Sequence, residues 1–284
     1  MKTFRILFLA ACGISILGLS FLNGQGRGPS GPPKLQALII TGQNGHDWKG
    51  TTPVLRQILE DTGRFEVRVT EEFRGAGPET LAPYDVVIVN YFERGQPGLL
   101  WGDRPNKAFT DYVNSGKGLV IYHFSMAAFN GWTDYEKMSG GNWRPNKGHH
   151  SARHDFNVDI KDPDHPIMAG LKSPLPVQND ELYANLKWQP EGSFHVLATA
   201  YDDHALYDDK ASDARNKQAM SGAGVNEPML WTTQFGSGRV FITALGHDAP
   251  TCNEPTFKVT FARGTEWAAT GKVTLPVPAE MARK

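Results

Sequence analysis

The chain is poor in cysteine and has no excess of either charge, and each shortage removes a class of function. Cys12 and Cys252 are the only two cysteines in 284 residues, so neither a disulfide framework nor a cysteine-rich metal knuckle organises the fold. Twenty-nine Lys and Arg balance 30 Asp and Glu, a formal net charge of -1, which leaves no basic field for nucleic acid or an anionic membrane surface. No G-x-G-x-x-G follows the first strand-like run. Neither a nucleotide nor a flavin is therefore expected. No internal repeat and no break in composition divides the chain.

What is present begins with an export pattern. Lys2 and Arg5 precede a continuous apolar stretch from Ile6 to Leu22, followed by a polar, glycine-rich segment. Residues 1–24 therefore read as a signal peptide, 25–34 as a flexible leader and 35–284 as one domain, placed in the bacterial periplasm or cell envelope. Leu9-Ala10-Ala11-Cys12 also resembles a lipoprotein cleavage box, but cutting there would leave Gly13 to Leu22 apolar at the new terminus. Cleavage near Gly24 is the preferred reading. A lipid anchor, or an uncleaved segment at the lower limit for spanning a bilayer, is the alternative, and is the only membrane contact expected. With the signal removed, Cys252 is alone and is read as an inert thiol.

From Leu35 onward, apolar runs alternate with helical spacing. Strands are expected at Leu35 to Thr41, Phe65 to Val69, Tyr84 to Asn90 and Gly118 to Tyr122, with helices at Thr52 to Thr62 and Lys107 to Ser115. Strands separated by helices imply right-handed crossovers and a parallel sheet. The second half predicts strands at Phe156 to Ile160 and His195 to Ala200, a hairpin of Met229 to Phe235 with Arg239 to Thr243, and a closing helix from Phe257 to Thr270. The polar stretch from Tyr201 to Pro228 reads as an extended surface loop or lid.

Parallel sheets hold their chemistry beyond the carboxyl ends of their strands. Three apolar runs end there in histidine: Leu38 to Gly42 leads to His46, Gly118 to Tyr122 to His123, and Val240 to Leu245 to His247. One pocket is expected to gather them. Asn44, His46, Asp47 and Trp48 could hydrogen-bond or stack on a sugar, or simply form a helix-capping loop. Trp143 and Tyr183 offer further stacking surface. His154 opens a strand and is expected to point back toward the pocket, whereas His149 and His150 read as solvated loop residues. Of the adjacent acids Asp180 and Glu181 only one can face a given pocket, as a general base or as an oxygen ligand. His123, Asp180 and Glu181 are thus the catalytic candidates, and His123, His154, Glu181 and His247 the candidate ligands of a divalent metal.

Gly45-His46-Asp47-Trp48, Gly118 to His123, Gly140-Gly141-Asn142-Trp143, His154 before Phe156, Asp162 to Ile167, Asn179 to Tyr183 and Gly236 to His247 occur in the order found in the ThuA-like, or trehalose-utilisation, family. The chain resembles that family over about residues 35 to 270. The resemblance implies an α/β, flavodoxin-like fold of the class I glutamine amidotransferase-like type, a parallel sheet flanked by helices. In amidotransferases the strand corresponding to Gly118 to Tyr122 enters an elbow carrying a nucleophilic cysteine. Here the residue is His123, so glutaminase chemistry is not supported. The resemblance further implies carbohydrate metabolism, with members associated with sugars carrying a 3-keto group. The expected function is general acid/base chemistry on a keto-sugar or glycoside (isomerisation, elimination or hydrolysis), with a small carbohydrate as the partner. The rival expectation is a non-catalytic carbohydrate-binding protein.

Overall fold

A computed structural model describes residues 33–93, 101–207 and 222–284. The expected signal peptide and nearly all of the leader lie outside the described residues. In chain order the strands are β1 (Leu35–Gly42), β2 (Phe65–Thr70), β3 (Val86–Tyr91), β4 (Gly118–Tyr122), β5 (Gly141–Asn142), β6 (His149–His150), β7 (His154–Ile160), β8 (Leu175–Asp180), β9 (Tyr183–Ala184), β10 (Lys187–Trp188), β11 (Phe194–Asp202), β12 (Val225–Phe235) and β13 (Gly238–Thr243). The helices are α1 (Trp48–Asp61), α2 (Pro78–Leu81), α3 (Asp103–Asn114), α4 (Thr133–Ser139), α5 (Ala249–Cys252) and α6 (Pro255–Thr270).

Nine strands form one sheet in the order β2-β1-β3-β4-β13-β12-β11-β7-β8. The first five run parallel and the last four join antiparallel. The parallel strands read as near-continuous apolar runs because both faces are covered. All six residues of β3 and all five of β4 are buried. β2, half-buried at an edge, shows the alternation expected of one exposed face in its first residues. Helices α1 and α6 pack on each other and against the parallel strands, and α4 lies against β12 and β13. Gly264 allows α6 to approach closely, since a Cβ there would stand 2.2 Å from the Phe241 ring on β13.

The fold is the α/β sheet expected; α3 starts four residues early, at Asp103, and three further differences bear on the site. Helix α1 starts at Trp48, four residues early, because the Asp47 side chain accepts from Gly50 N and caps it. The segment from Tyr201 to Pro228 is not one loop. β11 continues to Asp202, a 3-10 turn spans His204–Leu206, and β12 begins at Val225, while residues 208–221 lie outside the described residues. His149 and His150 form a short strand with Tyr183–Ala184 instead of a solvated loop, and His149 is 2 % exposed.

Candidate metal centre

β4 ends in a sharp turn, and the residue on it is His123, whose φ of +46° lies in the left-handed region that a non-glycine residue enters only under constraint. The surrounding chain supplies that constraint. Ser125 Oγ accepts from Tyr91 N at 3.0 Å, and Tyr135 donates to the Ser125 carbonyl at 2.9 Å. Arg144, buried, donates to the carbonyls of Met126 (3.3 Å), Ala127 (3.1 Å) and Ala128 (3.3 Å) and is itself anchored on Glu136 at 2.7 Å. The Gly140 to Arg144 motif is therefore a clamp on the His123 turn, and the Ser125 hydroxyl is spent in holding it.

Four side chains converge at the carboxyl ends of the parallel strands. His46 follows β1, His123 follows β4 and His247 follows β13, while Glu181 follows β8 from the antiparallel half. One ligand-type atom from each lies within 4.8 Å of all the others. Glu181 Oε2 stands 3.0 Å from His247 Nδ1, 3.6 Å from His46 Nε2 and 3.7 Å from His123 Nε2. Its second oxygen faces His150 Nδ1 at 3.3 Å.

Asp180 and Glu181 divide the work as adjacent residues on extended chain must. Asp180, 1 % exposed, accepts from the backbone N–H groups of Gly246 (2.7 Å), His247 (3.1 Å) and Glu181 (2.8 Å). It binds the β8 end to the β13 exit and so fixes two members of the cluster from behind. Gly246 completes that approach. At φ +97° a side chain is strained, and a Cβ would meet the Phe257 ring at 2.5 Å.

Electrostatics separate the four. Burial opposes ionisation of Glu181, but His123, His247 and His46 overcome it and hold the carboxyl well below the usual range. The Glu181 carboxylate raises the pKa of His247. Burial lowers His46 to about 4, with the neighbouring imidazoles adding to the effect, so it is neutral at physiological pH. Although Glu181 Oε2 and His247 Nδ1 approach to 3.0 Å, they are not aligned for a hydrogen bond, and both are buried without a partner, as is His46 Nδ1. Unsatisfied buried atoms of this kind are rare and costly. Three imidazoles and a carboxylate brought this close, with Glu181 Oε2 and His247 Nδ1 unpartnered, fit a divalent cation such as zinc, iron or manganese.

His154 does not join them. It opens β7, and its Nδ1 is taken by Ser151 Oγ at 3.1 Å and the Ala152 carbonyl at 2.9 Å, with the ring against Phe156. His46, expected on the substrate side, takes the fourth place in the cluster. His150, expected as a solvated loop residue, stands on β6 beside Glu181, because a two-residue strand leaves no periodicity to read. Asn44 is buried and shapes the β1 exit, donating to Asn90 Oδ1 at 3.3 Å and accepting from His46 N at 3.0 Å. Asp47 is the α1 cap, and half-buried Trp48 carries Lys49 over its ring. Trp143 is half-buried beside Tyr183, His150 and Phe124, with ring centroids at 5.1, 5.9 and 5.6 Å. Tyr183 is buried, its hydroxyl 2.9 Å from His123 Nε2. Cys252 is fully buried 3.1 Å from the Tyr122 hydroxyl, and burial pushes its thiol pKa up, away from nucleophilic chemistry.

Fold and site together define an α/β protein with an amidotransferase-like fold, in which the turn after β4 carries a histidine set in a His-His-His-Glu cluster. The chain belongs to the ThuA family, described as trehalose utilisation, whose model matches residues 36–268. It is similar to a ThuA-like protein from Parabacteroides merdae, with 30% identity and a TM-score of 0.74 over 88% of this chain and 95% of that one. A ThuA-like protein from Bacteroides uniformis shows 17% identity and a TM-score of 0.64 over 88% and 97% of the two chains, a likeness of fold. No curated protein matches the chain.

Proposed function

We propose that the protein is an exported carbohydrate-processing enzyme in which His46, His123, His247 and Glu181 hold one divalent cation, and that it acts on a keto-sugar or glycoside by proton transfer beside a carbonyl. The observation that carries this reading is the convergence of His46, His123, His247 and Glu181 at the carboxyl edge of the sheet, with Glu181 Oε2 and His247 Nδ1 buried and unpartnered, in a family linked to trehalose utilisation. A carbonyl acidifies the adjacent C–H, so a positioned base and stabilisation of the developing enolate suffice for isomerisation, elimination or hydrolysis. When bound, the cation supplies the Lewis-acid charge for that oxygen.

The proton-transfer role falls to His150. A carbonyl oxygen only accepts, so the contact of His150 Nδ1 with the Ser151 carbonyl at 2.8 Å fixes the hydrogen on Nδ1, with Glu181 Oε1 beside it at 3.3 Å. Nε2 then carries the lone pair, and it has no hydrogen-bond partner among the described residues. A carboxylate beside one imidazole nitrogen orients the ring. His123 is poorly placed for the same task, because both of its nitrogens are engaged, by the Ala244 carbonyl at 2.7 Å and by Tyr183. Trp143, next to His150, offers the face on which a sugar ring stacks. Export to the periplasm or envelope, proposed from the Lys2 to Leu22 pattern, places a small exogenous carbohydrate within reach.

Incubation with a 3-keto-glucoside in deuterated water tests the reading. Deuterium should enter beside the carbonyl or the aglycone should be released, while the unoxidised glucoside stays inert. His150→Ala should lower the rate about 100- to 10,000-fold. Binding of both sugars with neither exchange nor release, with zinc or manganese added, would instead establish a carbohydrate-binding protein.

A further inference from the structure

The His123 imidazole has one lone pair to give, and Tyr183 already uses it. The Ala244 carbonyl at 2.7 Å from Nδ1 can only accept, so Nδ1 carries the ring hydrogen and the lone pair of the neutral ring sits on Nε2. The Tyr183 oxygen lies 2.9 Å from that Nε2, in a hydrogen bond that the phenol must donate. The same Nε2 faces Glu181 Oε2 at 3.7 Å and belongs to the four-atom cluster.

Tyr183 cannot drift away easily. Its ring is 1 % exposed, stands 4.4 Å from the His123 ring centroid at 35°, and sits on β9, which is hydrogen-bonded to β6 beside His150. Its hydroxyl satisfies His123 Nε2, while His247 Nδ1 and Glu181 Oε2 remain unpartnered.

We propose that the Tyr183 hydroxyl and the bound cation compete for Nε2 of His123, so that Tyr183 sets the ion affinity of the centre and is released toward the substrate when the ion enters. The proposal rests on the cation reading given above. A hydrogen bond to a neutral partner is modest beside a metal–nitrogen bond, so the tyrosine weakens ion binding without preventing it. The freed O–H then becomes available to a sugar oxygen, beside Trp143.

The test compares wild type, Tyr183→Phe and Glu181→Gln, each stripped with a chelator and titrated with zinc and with manganese against a chromophoric competitor. Tyr183→Phe should bind about 2- to 10-fold more tightly than wild type, the loss of one competing hydrogen bond. Equal or weaker binding by Tyr183→Phe overturns the competition, weaker binding meaning that the tyrosine oxygen is itself a ligand. Stoichiometric binding by wild type that Glu181→Gln loses keeps the centre standing whichever way Tyr183→Phe falls, whereas no binding by any of the three removes the centre and the competition together. Wild type alone gives a second readout. Ion addition should perturb the near-ultraviolet absorption of a buried tyrosine, and the perturbation should be missing in Tyr183→Phe. Its absence from wild type at saturating ion contradicts the release of the hydroxyl.

Discussion

Two buried histidine–carboxylate clusters lie on either side of the two-residue strand β6, and they are built to opposite ends. His150 turns toward Glu181, while His149 turns toward Asp202, its Nε2 3.3 Å from Oδ2. The Asp202 cluster is largely closed. Its other oxygen accepts from the Tyr207 hydroxyl at 2.6 Å, and the neighbouring Glu227, whose pKa burial raises, accepts from Asn185 N at 2.8 Å. Among the described residues of that cluster, His149 Nδ1 is left over. Around Glu181 the geometry is reversed: three imidazoles crowd one carboxylate oxygen without a hydrogen bond to it. A satisfied network supports one fold, whereas an unsatisfied one costs stability and persists where something else completes it.

Substitution should break the two clusters differently. Asp202→Asn removes a fully buried charge from His149 and Tyr207, so urea unfolding should show a loss of about 3 to 5 kcal/mol while ion stoichiometry is unchanged. Glu181→Gln should do the opposite, abolishing ion binding with a smaller change in the unfolding midpoint. Equal effects of the two on ion content would erase the distinction.

Asp180→Asn lies between them, because the carboxylate holds three backbone N–H groups but touches no imidazole. It should cost about 1.5 to 3 kcal/mol in urea unfolding and weaken the ion about 10-fold or more by loosening His247 and Glu181. A fall in stability with unchanged ion affinity would show that the backbone clamp does not position the centre.

Acid should distinguish buried neutral histidines from the rest. Burial lowers His46 and His165 from 6.5 to about 4, so each binds its proton more readily in the unfolded chain. That contribution to stability is present above pH 6.5 and is lost as the pH falls toward 4. Thermal unfolding followed from pH 7 to pH 4 should show the decline, and His165→Gln should flatten part of it. The smallest effect is expected at Cys252→Ser, where the Tyr122 hydroxyl can receive the new side chain. Turnover and ion content should stay at wild-type values and stability within about 1 kcal/mol.

The parallel half was legible because fully buried strands write themselves as apolar runs, and three of those runs end at the histidines that meet. The Asp180 and Glu181 pair was legible only as a choice, since alternation says that the two side chains diverge but not which one turns inward. The placement of the β13 exit decides it, by bringing Gly246 N and His247 N to Asp180. His154 and His150 were misread for one reason. Both belong to the antiparallel half, where β6 is two residues long and β7 begins at His154, so the direction of each ring depends on pairing with distant β8 and β9. The Arg144 clamp was hidden as well, because its partners are backbone carbonyls and carry no side-chain signature.

The most direct measurement is the ion content of the purified wild-type chain beside Glu181→Gln and Asp202→Asn, read by elemental analysis after dialysis. The cluster geometry predicts one equivalent of a divalent transition metal in wild type and in folded Asp202→Asn, and none in Glu181→Gln. Wild type that stays metal-free after exposure to zinc, iron and manganese, or Glu181→Gln that retains a full equivalent, would contradict the account.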